Sequence, residues 1–204
     1  MSIPIHCLNK FKLFSCTIII IVLNACTEDI TIQEQSQNYN IPIPTNTIIR
    51  VIADRSIMTK DPFSDYNWNY ITQAKIKTEK IFTHFGYSVV DTGLAPENKG
   101  RPTLIAIVKA QQDPRNKNSI HYSMNLYKPL SPNNSLLSCD TEQQSHNICI
   151  APPKITDSQQ LFTANCTYSG SANVASFIIE YCVKSAFNTY PQGSNKRIVY
   201  TRQE

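Results

Sequence analysis

From residue 47 onward, short apolar runs alternate with polar punctuation, and the spacing of the apolar positions predicts the elements. Thr47 to Asp54 (TIIRVIAD) is short and β-branched and reads as a strand. Between Tyr66 and Phe85 the residues Tyr70, Ile71, Ala74, Thr78, Ile81, Phe82 and Phe85 recur at helical spacing, with Lys75, Lys77, Glu79 and Lys80 on the other face. Asp65 can cap that helix at its start. Gly86 can end it, because glycine tolerates the left-handed conformation. Tyr87 to Asp91 then resumes as a strand. Thr103 to Ala110 (TLIAIVKA) is almost continuously apolar, which suits a central strand buried on both faces. Ser119 to Tyr127 alternates instead, with Ile120, Tyr122, Met124 and Leu126 against His121, Ser123, Asn125 and Tyr127, so one face should be wet. The polar stretch from Gln111 to Asn118, with Pro114, fits a hairpin connection.

Gln160 to Ser171 predicts another strand, with Phe162, Ala164, Cys166, Tyr168 and Gly170 on one face. After a cap at Asn173 comes a last helix whose inner face carries Val174, Phe177, Ile178, Tyr181, Cys182 and Ser185. Tyr190-Pro191 and Gly193 end it. Arg197 to Thr201 (RIVYT) reads either as an edge strand or as a trailing end. The order β-α-β-β-β-β-α predicts an α/β (α+β) two-layer sandwich: two helices on one face of a mixed or mostly antiparallel sheet.

Two segments break the pattern. Residues 26–46 begin with a polar run, Thr27 to Asn40, stiffened at its end by Ile41-Pro42-Ile43-Pro44; so few apolar side chains predict a flexible tether. Residues 129–157 carry Pro132, Asn133-Asn134, Cys139, Cys149 and Pro152-Pro153 and predict a surface excursion from a single domain spanning 47–204.

The start of the chain explains where such a domain would sit. Lys10 and Lys12 precede an apolar run centred on Thr17 to Leu23, which is too short for a transmembrane helix of roughly 20 residues and fits the core of an export signal. Leu23-Asn24-Ala25-Cys26 follows directly. These four residues resemble the lipobox of bacterial lipoproteins. The resemblance implies that residues 1–25 are cleaved and that Cys26 becomes the diacylglyceryl-bearing first residue. Attachment through two or three acyl chains is effectively permanent, whereas one chain holds only reversibly. Thr27, at the position after the cysteine, implies the periplasmic face of the outer membrane under the sorting rule of enteric lipoproteins, with the inner membrane as the alternative. A signal peptide cut nearby, or an uncleaved anchor, is the other reading of this region.

Composition narrows the function. The whole chain has 204 residues and a formal charge of +4, of which two charges lie in the signal, so the remaining 179 residues are nearly neutral. A clustered basic face of the kind that binds nucleic acid is not expected. Seven cysteines are present. Cys7 and Cys16 leave with the signal and Cys26 is the anchor. Cys139, Cys149, Cys166 and Cys182 remain, an even number in an oxidising compartment, and read as two disulfides; free thiols are the alternative. Cys166 points to the apolar side of its strand and Cys182 to the apolar side of the following helix, which favours Cys166–Cys182 over the crossed pairings. Cys139–Cys149 would then close the excursion.

Two further stretches, the helix ending in His84-Phe85-Gly86-Tyr87 before a buried strand, and Tyr168-Ser169-Gly170-Ser171-Ala172 before a helix that stops at Tyr190-Pro191, are similar to a family of small Gram-negative lipoproteins of unknown function. The likeness covers most of residues 50–191 and implies the same α/β sandwich, with no catalytic residues to carry over. This chain departs from that pattern in lacking the aromatic strand just after the anchor and in adding the cysteine-bearing excursion.

Candidate chemistry is sparse. His84, His121 and His146 are widely separated, and Cys139, His146 and Cys149 resemble a metal cluster only superficially, since an oxidising compartment favours the disulfide. Tyr168-Ser169-Gly170-Ser171 lacks the first glycine of a nucleophile elbow. Asp54, Asp61 and Asp65 lack EF-hand spacing and are more economically turn and capping residues. Tyr66, Trp68 and Tyr70 cannot all share one helix face, so at least one is a candidate interface anchor. No catalytic residue, metal or cofactor is expected. The sequence therefore predicts a non-catalytic envelope lipoprotein, tied to a membrane through Cys26 and working through protein contacts as an accessory subunit. A binding module for a lipid, glycan or small ligand is the alternative, and a cell-wall hydrolase a third.

Overall fold

A computed structural model of the chain describes residues 27–43, 46–56, 64–90, 103–113, 115–130, 158–170 and 176–203, with two-residue strands at 137–138, 148–149 and 154–155. The strands are β1 (Thr27–Asn38), β2 (Ile48–Asp54), β3 (Ser88–Val90), β4 (Thr103–Asp113), β5 (Asn116–Pro129), β6 (Leu137–Ser138), β7 (Ile148–Cys149), β8 (Lys154–Ile155), β9 (Ser158–Ser169) and β10 (Ser194–Gln203); the helices are α1 (Ser64–His84) and α2 (Ser176–Ala186). The main sheet runs β10-β1-β9-β5-β4-β2-β3, and β7 adds to β2. It is mixed: β2 pairs parallel with β3 and β4, whereas β4–β5, β5–β9 and β9–β1 are antiparallel. This is the α+β sandwich that the apolar spacing predicts. Thr31–Ile198 forms one compact unit. The described residues before Thr31 and after Ile198 belong to a second, within which the Thr201 hydroxyl donates to Asp29 Oδ1 at 2.9 Å.

The helix-facing side of the sheet is apolar because the register aligns apolar positions across strands. Tyr122, Met124 and Leu126 on β5 lie opposite Cys166, Ala164 and Phe162 on β9. On the other flank they lie opposite Ala110, Val108 and Ala106 on β4. All are buried. Helix α1 lays Tyr70, Ile71, Ala74, Thr78 and Phe82 on this surface, at the spacing of one helix face. Thr78 is tolerated there because its hydroxyl donates back to the Ala74 carbonyl at 2.7 Å and also meets the Tyr122 hydroxyl at 2.9 Å. Burial raises the Tyr122 pKa, so that phenol stays neutral.

The end of α1 follows from Gly86. Its φ of +86° is the left-handed conformation that glycine adopts without strain. The Tyr87 amide then donates to the Phe82 carbonyl at 3.1 Å and the Gly86 amide to the Thr83 carbonyl at 3.0 Å, the paired bonds of a Schellman cap. The accompanying apolar contact is the edge-on pair Phe82–Tyr87, centroids 5.9 Å apart.

Four expectations need correction. The tether predicted within 26–46 is in large part a strand: β1 occupies Thr27–Asn38 and pairs with β9 from Ile32↔Tyr168 to Asn38↔Phe162. Its inward positions are Ile32, Glu34 and Ser36, so the chain supplies the alternation with too few apolar residues to make it legible. Of the interface candidates Tyr66, Trp68 and Tyr70, Tyr70 is not available as an anchor, because it is buried on the core face of α1. Lys75, predicted on the wet face, is also buried; its ammonium is held by Glu79 at 2.6 Å, one turn along. On α2 the inner stripe runs Ile178, Ile179, Cys182, Val183 and Ala186, with Ser185 buried beside it, while Phe177 and Tyr181 are only half-buried. Of the two readings of the C-terminal stretch the edge strand is the correct one, and it is longer than Arg197 to Thr201.

Candidate functional site

The disulfide pairing expected from facing surfaces is present. Cys166 on β9 is bonded to Cys182 on α2, with Cα atoms 5.4 Å apart. Closing a loop of this size contributes about 3 kcal/mol by restricting the unfolded chain. Cys139, His146, Asp61 and Cys26 lie outside the described residues. Cys149 is described only as backbone, paired with Asp54 across β7 and β2, so nothing bears on Cys139–Cys149. The side chains of Tyr66 and Trp68 likewise lie outside the described set.

The remaining candidates are explained locally. His84 is exposed in the last turn of α1, where a cation complements the helix dipole. His121 Nδ1 is 3.0 Å from the Thr167 hydroxyl across the β5–β9 pair, and partial burial lowers its pKa. Asp54 accepts the Ser56 amide at 2.9 Å and pairs with Lys109 at 2.8 Å; the side chains of Asp61 and Asp65, the other two of that trio, lie outside the described set. Among the described residues no group of three or more His, Cys, Asp or Glu is arranged to hold a metal.

Two arrangements were not legible in the sequence. The first is an aromatic cap where α1, β9 and the turn after α2 converge. Phe82, Phe85, Tyr87, Phe162, Phe187 and Tyr190 form a continuous ring cluster: Phe82–Phe187 are 5.2 Å apart edge-on, Phe85–Tyr190 stack at 5.0 Å, and Phe162–Tyr190 meet edge-on at 5.0 Å. The Tyr87 and Tyr190 hydroxyls are 3.0 Å apart, and burial together with that contact raises the Tyr190 pKa. Phe85, at 39% exposure, is the cap's accessible edge. Alongside, α1 and α2 are joined by Lys77, which donates to Glu180; Lys184 reaches the same carboxylate at 2.8 Å. Those hydrogen bonds hold the Glu180 pKa down to about 2.

The second arrangement is at the sheet rim, where β1 ends beside the turn leading into β10. A cavity of about 450 Å³ opens there between the end of β1 and the turn; Ser36, Asn38, Asn40, Pro42, Gln192 and Gly193 are among its walls. The turn can come this close only because residue 193 has no side chain: a Cβ there would meet the Ser36 carbonyl oxygen at 2.9 Å and Gln37 Cα at 3.2 Å. Asn38 fixes the turn by donating its amide to the Pro191 carbonyl. Asn40 turns back on Asn38 in the left-handed conformation, φ 60°, with its own amide donating to Asn38 Oδ1 at 2.6 Å.

Ser36, in the cavity wall, is one of three residues on β1 and β10 whose buried side-chain oxygens have no hydrogen-bond partner among the described residues. Glu34 is fully buried, and neither carboxylate oxygen has a hydrogen-bond partner; the same holds for Ser36 Oγ and Ser194 Oγ. Their common location follows from the pleat. Glu34 and Ser36 alternate with outward-facing Gln33, Gln35 and Gln37. Gln33 donates outward to Asn195 Oδ1 at 2.9 Å, and Gly193 rests on the Ser36–Asn38 backbone. Ser194, between Gly193 and Asn195, therefore lies beside Ser36 and on the face that also carries Glu34. Glu34 stands opposite Cys166 in the β1–β9 register, next to the disulfide.

No family model matches the chain, and no curated protein does. Among solved structures it is similar to the PelC dodecamer from Paraburkholderia phytofirmans in space group P6, with TM-score 0.38 and 10% identity over 75% of this chain and 94% of that one. A variant of that dodecamer in space group C2 gives TM-score 0.37 and 10% identity, over 74% and 91%. Similarity this distant carries no functional argument.

Proposed function

We propose that the chain is a non-catalytic envelope lipoprotein, lipidated on Cys26, held at the periplasmic face of the outer membrane, and acting as an accessory subunit through protein contacts. The observation that carries the contact role is the end of the sheet. The ten-residue β10 pairs with β1 and, among the described residues, with nothing on its other side. Such an edge offers a row of backbone donors and acceptors to an added strand. Lys196 and Arg197, both exposed along it, disfavour indiscriminate pairing between copies. The anchor reading rests on the Lys10–Lys12 flank, the apolar run and Leu23-Asn24-Ala25-Cys26.

The test is cross-linking in cells followed by pull-down from membranes, comparing the native chain with Cys26→Ala. A photo-cross-linker at Val199, 53% exposed on β10, should capture one stoichiometric partner, and that adduct should be depleted when the anchor is removed. Loss of the adduct in neither form, or its absence in both, would sink the proposal. A ligand-binding module is the second reading, favoured by the rim cavity; its walls are mixed polar and apolar rather than the apolar pocket beneath the sheet that a lipid would need.

A further inference from the structure

The buried oxygens at the rim ask for an explanation that the contact role does not supply. Native interiors rarely leave a side-chain oxygen unpaired, and an unpaired buried carboxylate costs more than any neutral group. Here four such atoms, on Glu34, Ser36 and Ser194, lie on one face of two adjacent strands. A water would satisfy the two hydroxyls but would leave the carboxylate charge uncompensated. Lys196, two residues beyond Ser194 and the nearest cation along β10, is exposed.

We propose that Glu34, Ser36 and Ser194 form a site for a singly charged alkali-metal cation, reached through the rim cavity. The donor chemistry sets the class. All donors are hard oxygens, which suits alkali and alkaline-earth ions and excludes the soft transition metals that prefer nitrogen or sulfur. One carboxylate carries one negative charge, so a monovalent ion leaves the buried site neutral, whereas a divalent ion would leave an uncompensated positive charge in a poorly solvated place. Ser36 stands in the cavity wall, so the cavity reaches one of the three donors. The site would also fasten β10 to β1, because Ser194 belongs to one strand and Glu34 and Ser36 to the other.

The test is thermal unfolding of the full chain in detergent, followed by circular dichroism, in chloride salts of sodium, potassium, methylammonium, calcium and tetramethylammonium at equal ionic strength. The wild type should melt about 3 °C higher in sodium or potassium than in tetramethylammonium, as mass action predicts for a weak site well populated at such concentrations. Glu34→Gln should abolish the difference, Ser36→Ala should reduce it, and Lys196→Met should leave it intact. If Glu34→Gln fails to fold, crystals soaked in rubidium chloride decide: an anomalous peak beside the Glu34 carboxylate is expected, and a clean map there overturns the site. Equal responses of wild type and Glu34→Gln, or a larger shift with calcium or methylammonium than with either alkali ion, would overturn it as well.

Discussion

The centre of the sheet and its β1–β10 rim treat buried polar groups in opposite ways. At the centre, the Tyr122 hydroxyl meets Thr78 at 2.9 Å, and Thr78 in turn bonds the helix backbone. Cys166, its neighbour in register, is closed into a disulfide. At the rim, one strand over, the buried side-chain oxygens of Glu34, Ser36 and Ser194 have no hydrogen-bond partner among the described residues. Completed networks stabilise a core; incomplete ones that open onto a cavity mark where something else completes them. The difference separates the part of the molecule that holds the fold from the part where the ion site is proposed.

Truncating the centre should be the most damaging change. Phe82→Ala, which empties the hub of the aromatic cap, should cost about 4 kcal/mol, read as a lowered denaturant midpoint. Cys166→Ser should cost about 3 kcal/mol, and oxidised and reduced wild type should differ by a similar amount. If Cys166→Ser proved harmless, the centre would owe less to the disulfide than to its rings. A finer comparison sets one hydroxyl against another. Tyr122→Phe should lose about 1 kcal/mol because a made bond disappears, whereas Ser36→Ala, measured in tetramethylammonium, should be neutral or stabilising because none does. Equal losses would erase the distinction between the two regions.

The smallest effect concerns pH. Glu180 is held near 2, well below its ordinary value of 4.5, by Lys184 and Lys77. The stabilisation is therefore fully present above about pH 4.5 and lost as pH falls toward 2. The carboxylate is more than a third exposed, so after solvent screening the loss should be a few tenths of a kcal/mol. Lys77→Met should flatten that acid limb of the stability curve and leave neutral pH nearly unchanged.

How much of this was legible in the sequence depended on whether burial and apolarity coincide. Strands β2, β4, β5 and β9 and both helices follow from spacing because their inward residues are hydrophobic. The Cys166–Cys182 pairing followed from two apolar faces that had to meet. Strand β1 was hidden because Glu34 and Ser36 occupy inward positions that hydrophobic residues would normally fill, and so it read as a polar tether. The residues that concealed the strand are those that make the rim unusual. The aromatic cap was invisible for a different reason: its six rings come from α1, the chain after its cap, β9 and the turn beyond α2, and only the folded chain brings them together.

Strand β1 has a mechanical consequence. Its first residue, Thr27, is next in sequence to Cys26, so in the proposed lipoprotein β1 would begin directly after the lipid-bearing residue. Tension on the anchor would then run along β1 itself. The antiparallel ladder from Ile32↔Tyr168 to Asn38↔Phe162 lies across that line of force, its hydrogen bonds perpendicular to the strand. Pulling along such a strand loads the rungs together in shear instead of peeling them one at a time. An envelope protein tugged between membrane and partner would thus transmit the load into its disulfide-braced β9 rather than unravel from its anchored end.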